Sequence, residues 1–443
     1  MLVGELRPLW ALRAVVAAVV LAAALAPAET GAQSQPAGES EIGVTARTIR
    51  IAVIADVDNP ARPGLFSGSV DGVRAFAKFV NAHGGVAGRR VQVDFIDSRL
   101  SADEARNALI KACQEDFAIV GTTALFLNNV EAMVGCADKA GRSTGLPDVP
   151  LLQTEVNHLC SPVSFPVIAV GLDCATKDDH PQTYHTGQGY ARYHVKHNKG
   201  LHGIWLVPSD LKATANASLP IFEGARKVGI KEDGQFNVLG TAIQSDYTPF
   251  VQAIKQDEST YALSGSDYKS TLLLRREAKV QGATSVKVWD CTLQCYDERF
   301  LREGGTDVEG QYTAIPFIPF EEAKSNRSIA DYLRSVGGKE KASAFGAQAW
   351  AAGLFFQEVA DRVAEADGGN GLTRAAFLEE AAKVHDFTAG GMLGPTDVGG
   401  HVNNGCFVLM QVKGGKFVRV SPKAKGTLDC SKDNIVDVNL DLT

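Results

Sequence analysis

The 443-residue chain has no long basic run, and its formal net charge is -7. Both facts argue against nucleic acid and anionic membrane surfaces as partners. It has no H-E-x-x-H and no glycine-rich phosphate loop. The zinc proteases and nucleotide enzymes that carry those motifs are therefore not written in it. It also lacks the tightly paired cysteine and histidine spacings of a zinc site. Nor does it have a low-complexity linker that would separate independent domains.

Its one long apolar run, AVVAAVVLAAALA at 14–26, is shorter than the roughly 20 residues that cross a bilayer. Arg7 and Arg13 precede the run, and the small residues of PAETGA follow it, with cleavage expected after Ala28 or Ala32. That is the layout of a secretory signal peptide over 1–32; a membrane anchor is the competing reading. The first cysteine is Cys113, so no cysteine follows the run to carry a lipid, and no adjacent arginine pair precedes it. Removing the segment deletes two acids and two bases and leaves the net charge at -7. The expected location is periplasmic or extracellular, with no membrane insertion after cleavage.

Export changes how the eight cysteines are read. An even count in an oxidising compartment points to disulfides, although eight cysteines allow on the order of a hundred pairings. Pairing of sequence neighbours is the simplest expectation: Cys113–Cys136, Cys160–Cys174, Cys291–Cys295 and Cys406–Cys430. Free buried thiols are the alternative.

What is present is a long alternation of β and α patterns. Residues 33–45 are small and polar and read as a mobile arm. TIRIAVIAD (48–56), VQVDFIDS (91–98), FAIVGT (117–122) and VPLLQTE (149–155) read as strands. Helical patterns separate them: one after Gly64 that stops at Gly84–Gly85, one opening at Ser101, and one over ALFLNNVEAMVGCADKAG (124–141). This β-α-β order predicts a parallel, doubly wound sheet. The alternation then restarts, with a helix over HTGQGYARYHVKHNKG (185–200) and strands at 203–210, 236–245, 260–265 and 285–290. Two further helices follow, and a hairpin turning at Gly414–Gly415 ends the chain.

These pieces, in this order, resemble the solute-binding proteins of ABC importers, in the type I fold of the branched-chain amino acid (leucine-binding-like) group. The resemblance is carried by IRIAVIAD, FVNAHGGVAGRRVQVDFIDS, SADEARNALIKAC with FAIVGTTA, VIAVGLD (167–173), TPFVQAIK, RREAKVQGA and MLGPTDVGGHVNNGCFVLMQVKGGKFV. It runs from about 45 to 440. It implies two α/β lobes joined by three crossovers, with lobe one from 46–172 and 315–388 and lobe two from 173–312 and 392–443. A ligand would lie between them, at the carboxyl ends of the strands, where open α/β sheets place ligands on general grounds. The implied role is capture of a small solute, an amino acid or related amino/carboxylate compound, by hinge closure. A monomer would then hand it to a membrane permease, with no cofactor and no chemistry of its own. The same fold could serve as a ligand sensor, although no membrane span follows the pattern, and an exported hydrolase built from dispersed residues is a third reading.

Strand ends nominate the site residues. In lobe one these are Pro63, Leu65, Phe66, Thr122, Thr123, Phe126, Gln153 and Thr154; in lobe two, Ser209, Asp210, Ser264, Ser266, Asp267, Asp290 and Gln294. The resemblance implies that Thr123 and Thr154 hold a ligand carboxylate, helped by helix N-termini, and that Asp290 meets an ammonium. Asp290 also suits a helix N-cap, and the two roles are compatible. VWDCTLQCYDERF (288–300) thus reads as a cleft loop clipped by Cys291–Cys295, since redox chemistry prefers C-x-x-C. Two departures stand out. PSDLKATANAS replaces the family's aromatic-glycine step, and the loop after strand three, ALFLNN, is apolar, which suggests a larger or more apolar ligand.

Five of the nine histidines lie between His180 and His202. His194 and His197, three apart, read as a solvated helix face ahead of a metal pair, because no acid or cysteine completes a ligand set. Asn216 and Asn326 open glycosylation sequons that matter only in a eukaryotic secretory context.

Overall fold

A computed structural model describes residues 40–442 except 61, 209–211 and 367–370. Residues 1–32, expected to be a signal peptide, the first part of the arm, and Ser209 and Asp210 lie outside the described residues.

The first sheet begins with β1 (Thr48–Ala55), α1 (Ser67–Ala82), β2 (Arg90–Asp97), α2 (Ala102–Glu115) and β3 (Ala118–Val120). It closes with α3 (Glu131–Val134), β4 (Asp148–Val149) and α4 (Val156–Leu159). Its strands run parallel in the order β2-β1-β3-β4. A second unit follows: β5 (Gln182–Gly187), α5 (Gly189–His197), β6 (His202–Pro208), α6 (Lys212–Lys227), β7 (Lys231–Val238), α7 (Thr248–Gln256), β8 (Tyr261–Ser264), α8 (Tyr268–Val280), β9 (Val288–Cys291) and α9 (Glu298–Gly304). Its parallel sheet has the order β7-β6-β8-β9. The chain ends with β10 (Tyr312–Ile315), α10 (Arg327–Val336), α11 (Ala344–Ala366), α12 (Arg374–Ala381), β11 (Val408–Lys413), β12 (Lys416–Ser421) and β13 (Ile435–Leu440).

Both parallel sheets are covered on both faces, which is why their strands read as unbroken apolar runs. In β1, Ile51, Val53 and Ala55 pack with α1 and α11, while Ala52 and Ile54 face α2. In β6, Trp205 and Val207 pack on α5 and α6, while Ile204 and Leu206 meet α7 and α8. Helix starts follow capping rules: Ser101 accepts from the Glu104 amide, and Asp267 accepts from the Ser270 amide at 2.9 Å. The β11–β12 hairpin turns at Gly414 and Gly415, both at positive φ, as a two-residue turn demands.

Five local expectations fail. The strand expected over 236–245 lies instead at β7 (Lys231–Val238), and 239–245 leave the sheet. The helical pattern over 124–141 yields only α3; beyond it, Asp138 gathers the Ala140 and Arg142 amides into a turn. The fourth strand shortens to β4, and 150–155 becomes loop. The helix expected from 185 starts at Gly189, because Gln182–Gly187 pairs antiparallel with β13 at the far end of the chain. Residues 40–45, expected to be mobile, are anchored. The Glu41 carboxylate is 2% exposed and accepts from the amides of Ile42, Lys139 and Arg374.

The four disulfides join sequence neighbours: Cys113–Cys136, Cys160–Cys174, Cys291–Cys295 and Cys406–Cys430. Among the described residues no helix is long and apolar enough to cross a membrane.

Beside the first disulfide, fully buried Arg374 donates to the carbonyls of Cys113, Asp116, Phe117 and Ala137. Replacing it leaves those carbonyls dry and unpaired. Arg374→Met is expected to cost about 3 kcal/mol or more, read as a lower denaturation midpoint at unchanged m-value.

Candidate functional site

Among the described residues, the carboxyl ends of the strands in both parallel sheets converge on one cavity of about 350 Å³. Lobe one contributes Leu65 and Phe66 after β1, Leu100 after β2, Leu125 after β3, and Gln153 and Thr154 after β4. Lobe two contributes Pro208 of β6, Gly240 after β7, Ser266 and Asp267 after β8, and Thr292, Leu293 and Gln294 after β9. The first crossover adds Ile168, Ala169 and Val170. In it Gly171 adopts φ +91°, and a Cβ there would meet the His185 carbonyl at 2.2 Å. The wall is mostly aliphatic, with Phe66 and Phe345 in edge contact at 5.1 Å between ring centres.

Buried carboxylates hold these loops from behind. Asp56, at the end of β1, accepts from the Ser98 hydroxyl at 2.6 Å and from the amides of Leu100 at 2.7 Å and Leu125 at 2.8 Å. One side chain thus positions two leucines of the wall. Burial pushes its carboxyl above the usual range, and the three donors pull it back toward the ionised form. Asp148 plays a similar part behind β3 and β4. It accepts from the Thr122 hydroxyl at 2.5 Å and the Ser164 hydroxyl at 2.9 Å, and it meets His158 Nε2 at 2.8 Å. Gln153 and Thr154 are tied to carbonyls, of His158 and Leu125 respectively.

The expected site residues therefore divide. Phe66, Gln153, Thr154, Asp267 and Gln294 line the cavity, as do Leu65 and Ser266. Pro63 lines a smaller neighbouring recess that shares Arg62, Asp267 and Gln294. Thr122 and Thr123 do not reach the cavity: both are fully buried, Thr122 bound to Asp148 and Thr123 sharing a hydrogen bond with Ser69 at 3.0 Å. Phe126 lies one residue past the wall, and the Ser264 hydroxyl is held by Thr271.

Asp290 is the largest departure. It lies on the β9 face that packs against α5, where it accepts from Tyr261 at 2.9 Å and from the Cys291 amide and sits 3.2 Å from His194. Strand parity decides this. Alternate residues face opposite sides, so Asp290 shares the α5 side with Val288, while the loop beyond Cys291 turns to the cavity. His194, read as part of a solvated face, is buried in this same cluster at 1% exposure. No group of His, Cys, Asp and Glu among the described residues is placed to hold a metal.

The Cys291–Cys295 disulfide spans Thr292, Leu293 and Gln294, all three on the wall. It clips a cleft loop, as its spacing suggested. Strand-end reasoning passed over much of the wall, including Arg62, Gln348 and Asn403. Arg62, in the β1–α1 connection, bonds through Nε to Asp267 at 3.1 Å and through Nη2 to the Ser270 hydroxyl at 2.9 Å. Gln348 comes from α11, and Asn403 from the last crossover. A lone glutamine in the apolar stretch AFGAQAWAAG was the available signal.

The Arg62–Asp267 pair joins the two lobes across the cleft while both side chains stay mostly buried. Arg62→Ala should weaken the closed arrangement by about 1 kcal/mol, seen as a larger radius of gyration in X-ray scattering of ligand-free protein. Asp290→Asn should lower stability by about 1–3 kcal/mol and leave solute affinity unchanged. A loss of affinity without loss of stability would return Asp290 to the cleft.

A family model described as periplasmic binding protein matches residues 48–416. A substrate-binding protein of an ABC transporter from Aeropyrum pernix is 16% identical, with 88% of this chain and 99% of that chain covered at a TM-score of 0.67. A leucine-binding protein from Thermotoga maritima is 17% identical over 84% and 98%, at 0.62. A fatty acid ABC transporter substrate-binding protein from Thermomonospora curvata is 14% identical over 89% and 95%, at 0.65. No protein with a curated description matches significantly. With two parallel-sheet lobes, a cavity between their strand ends and a family match over most of its length, the chain belongs to the periplasmic binding proteins.

Proposed function

We propose that the protein is an exported carrier that closes its two lobes around one small, apolar-bodied solute and delivers it to a membrane permease. The observation that carries this reading is the cavity of about 350 Å³, walled by aliphatic and aromatic side chains from both lobes. Hinge closure would bring the walls together, and the Arg62–Asp267 pair supplies a contact available only in the closed arrangement.

An amino acid is the narrower expectation for the solute, and the wall offers it little. The described wall has one carboxylate, Asp267, which already serves Arg62 and the N-terminus of α8. Thr123 is buried away from the cavity. Among the neighbouring structures, one is titled a leucine binder and another a fatty acid binder, so the fold accepts aliphatic bodies with different head groups.

The test is thermal denaturation of the purified protein with leucine, phenylalanine, medium-chain carboxylates, aliphatic and aromatic amides, and sugars. A ligand at a hundred times its dissociation constant adds about 2.7 kcal/mol, a shift of a few degrees for a chain this long. Apolar-bodied compounds should raise the melting temperature and sugars should not. A shift with sugars alone would overturn the proposal.

A further inference from the structure

The polar groups on the cavity wall are of two kinds. Arg62 and Asp267, the only charged side chains on it among the described residues, are bonded to each other. The others are neutral amides and hydroxyls, and several of these have no hydrogen-bond partner among the described residues. Gln348, on α11, is 2% exposed and lines the cavity, yet no hydrogen bond joins its carboxamide to a described residue. Thr292, inside the Cys291–Cys295 clip in lobe two, also lines the cavity, and its hydroxyl is buried and unpaired. Buried polar groups are nearly always satisfied, so an unpaired carboxamide in an apolar wall marks the place where a partner is missing.

We infer that Gln348, together with Thr292, selects the solute by hydrogen bonding to an uncharged polar group, a carboxamide, carbonyl or hydroxyl, at the buried end of an apolar body. This rests on the solute-capture reading above and specifies its substrate class. A carboxylate or ammonium beside Gln348 would be desolvated among aliphatic side chains without a counter-charge. It could find one only by taking Arg62 or Asp267 from the pair that spans the lobes. A carboxamide on the solute pairs with Gln348 as donor and acceptor at once and leaves that pair intact. Gln348 comes from a helix, a more rigid support than a loop, which suits it to discriminate between solutes.

The test uses four compounds that share one body: 4-phenylbutanamide, 4-phenylbutanoate, 4-phenylbutylamine and 2-amino-4-phenylbutanoate. Each is titrated calorimetrically into the purified full chain. The amide should bind at least about tenfold more tightly than the anion, the cation or the zwitterion, the scale of discrimination when a buried polar partner is left unpaired. Gln348→Leu should remove that advantage while the ligand-free melting temperature holds or rises, because a carboxamide with no protein partner has been replaced by an aliphatic group. If the leucine variant fails to fold, Gln348→Asn, which withdraws the carboxamide by one methylene, should weaken the amide by about tenfold. An anion or zwitterion that binds as tightly as the amide, or an amide affinity untouched in either variant, overturns the inference and leaves solute capture standing. Absence of binding by all four compounds at millimolar concentration overturns the inference, and solute capture is then decided by the melting-temperature panel above.

Discussion

Desolvation is the constraint on which this molecule depends. Two parallel sheets present their carboxyl ends to each other, and the loops that leave them enclose a space that water would otherwise fill. Any charge left in such a space must be matched or it destabilises closure. The wall obeys this rule. Its two described charges are matched across the cleft by Arg62 and Asp267, and its remaining polar atoms are amides and hydroxyls.

The rule also explains where the other acids near the cleft go. Asp56 and Asp148 sit at the ends of the strands, behind the wall, and spend their carboxylates on backbone amides, hydroxyls and a histidine. They fix the loops that carry Leu100, Leu125 and Gln153 without entering the cavity themselves. Asp290 does the same in lobe two with Tyr261 and the Cys291 amide. Together these acids build an apolar site on buried acidic supports, and the short disulfide over Thr292–Gln294 keeps the last loop in register with them.

Much of this was legible in the sequence, because its signals are local. Alternating β and α patterns announce the two sheets. The rule that ligands meet the carboxyl ends of strands finds Phe66, Gln153, Thr154, Asp267 and Gln294, and neighbour pairing finds the four disulfides. What was not legible depends on distance or on parity. β5 is a strand because β13 pairs with it from the other end of the chain. A shift of one residue along β9 decides whether Asp290 or the loop after it faces the cleft. Thr122 and Thr123 carry the right chemistry, but Asp148 and Ser69 take it up inside the lobe. Gln348 becomes meaningful only once the apolar surroundings that leave it unpaired are known.

The most direct measurement is mass spectrometry of the small molecules released by organic solvent from protein purified out of its own cells without denaturation. The account predicts one compound in near-stoichiometric amount, apolar in body, with an uncharged polar group at one end. A released zwitterionic amino acid or a sugar in that amount would contradict it.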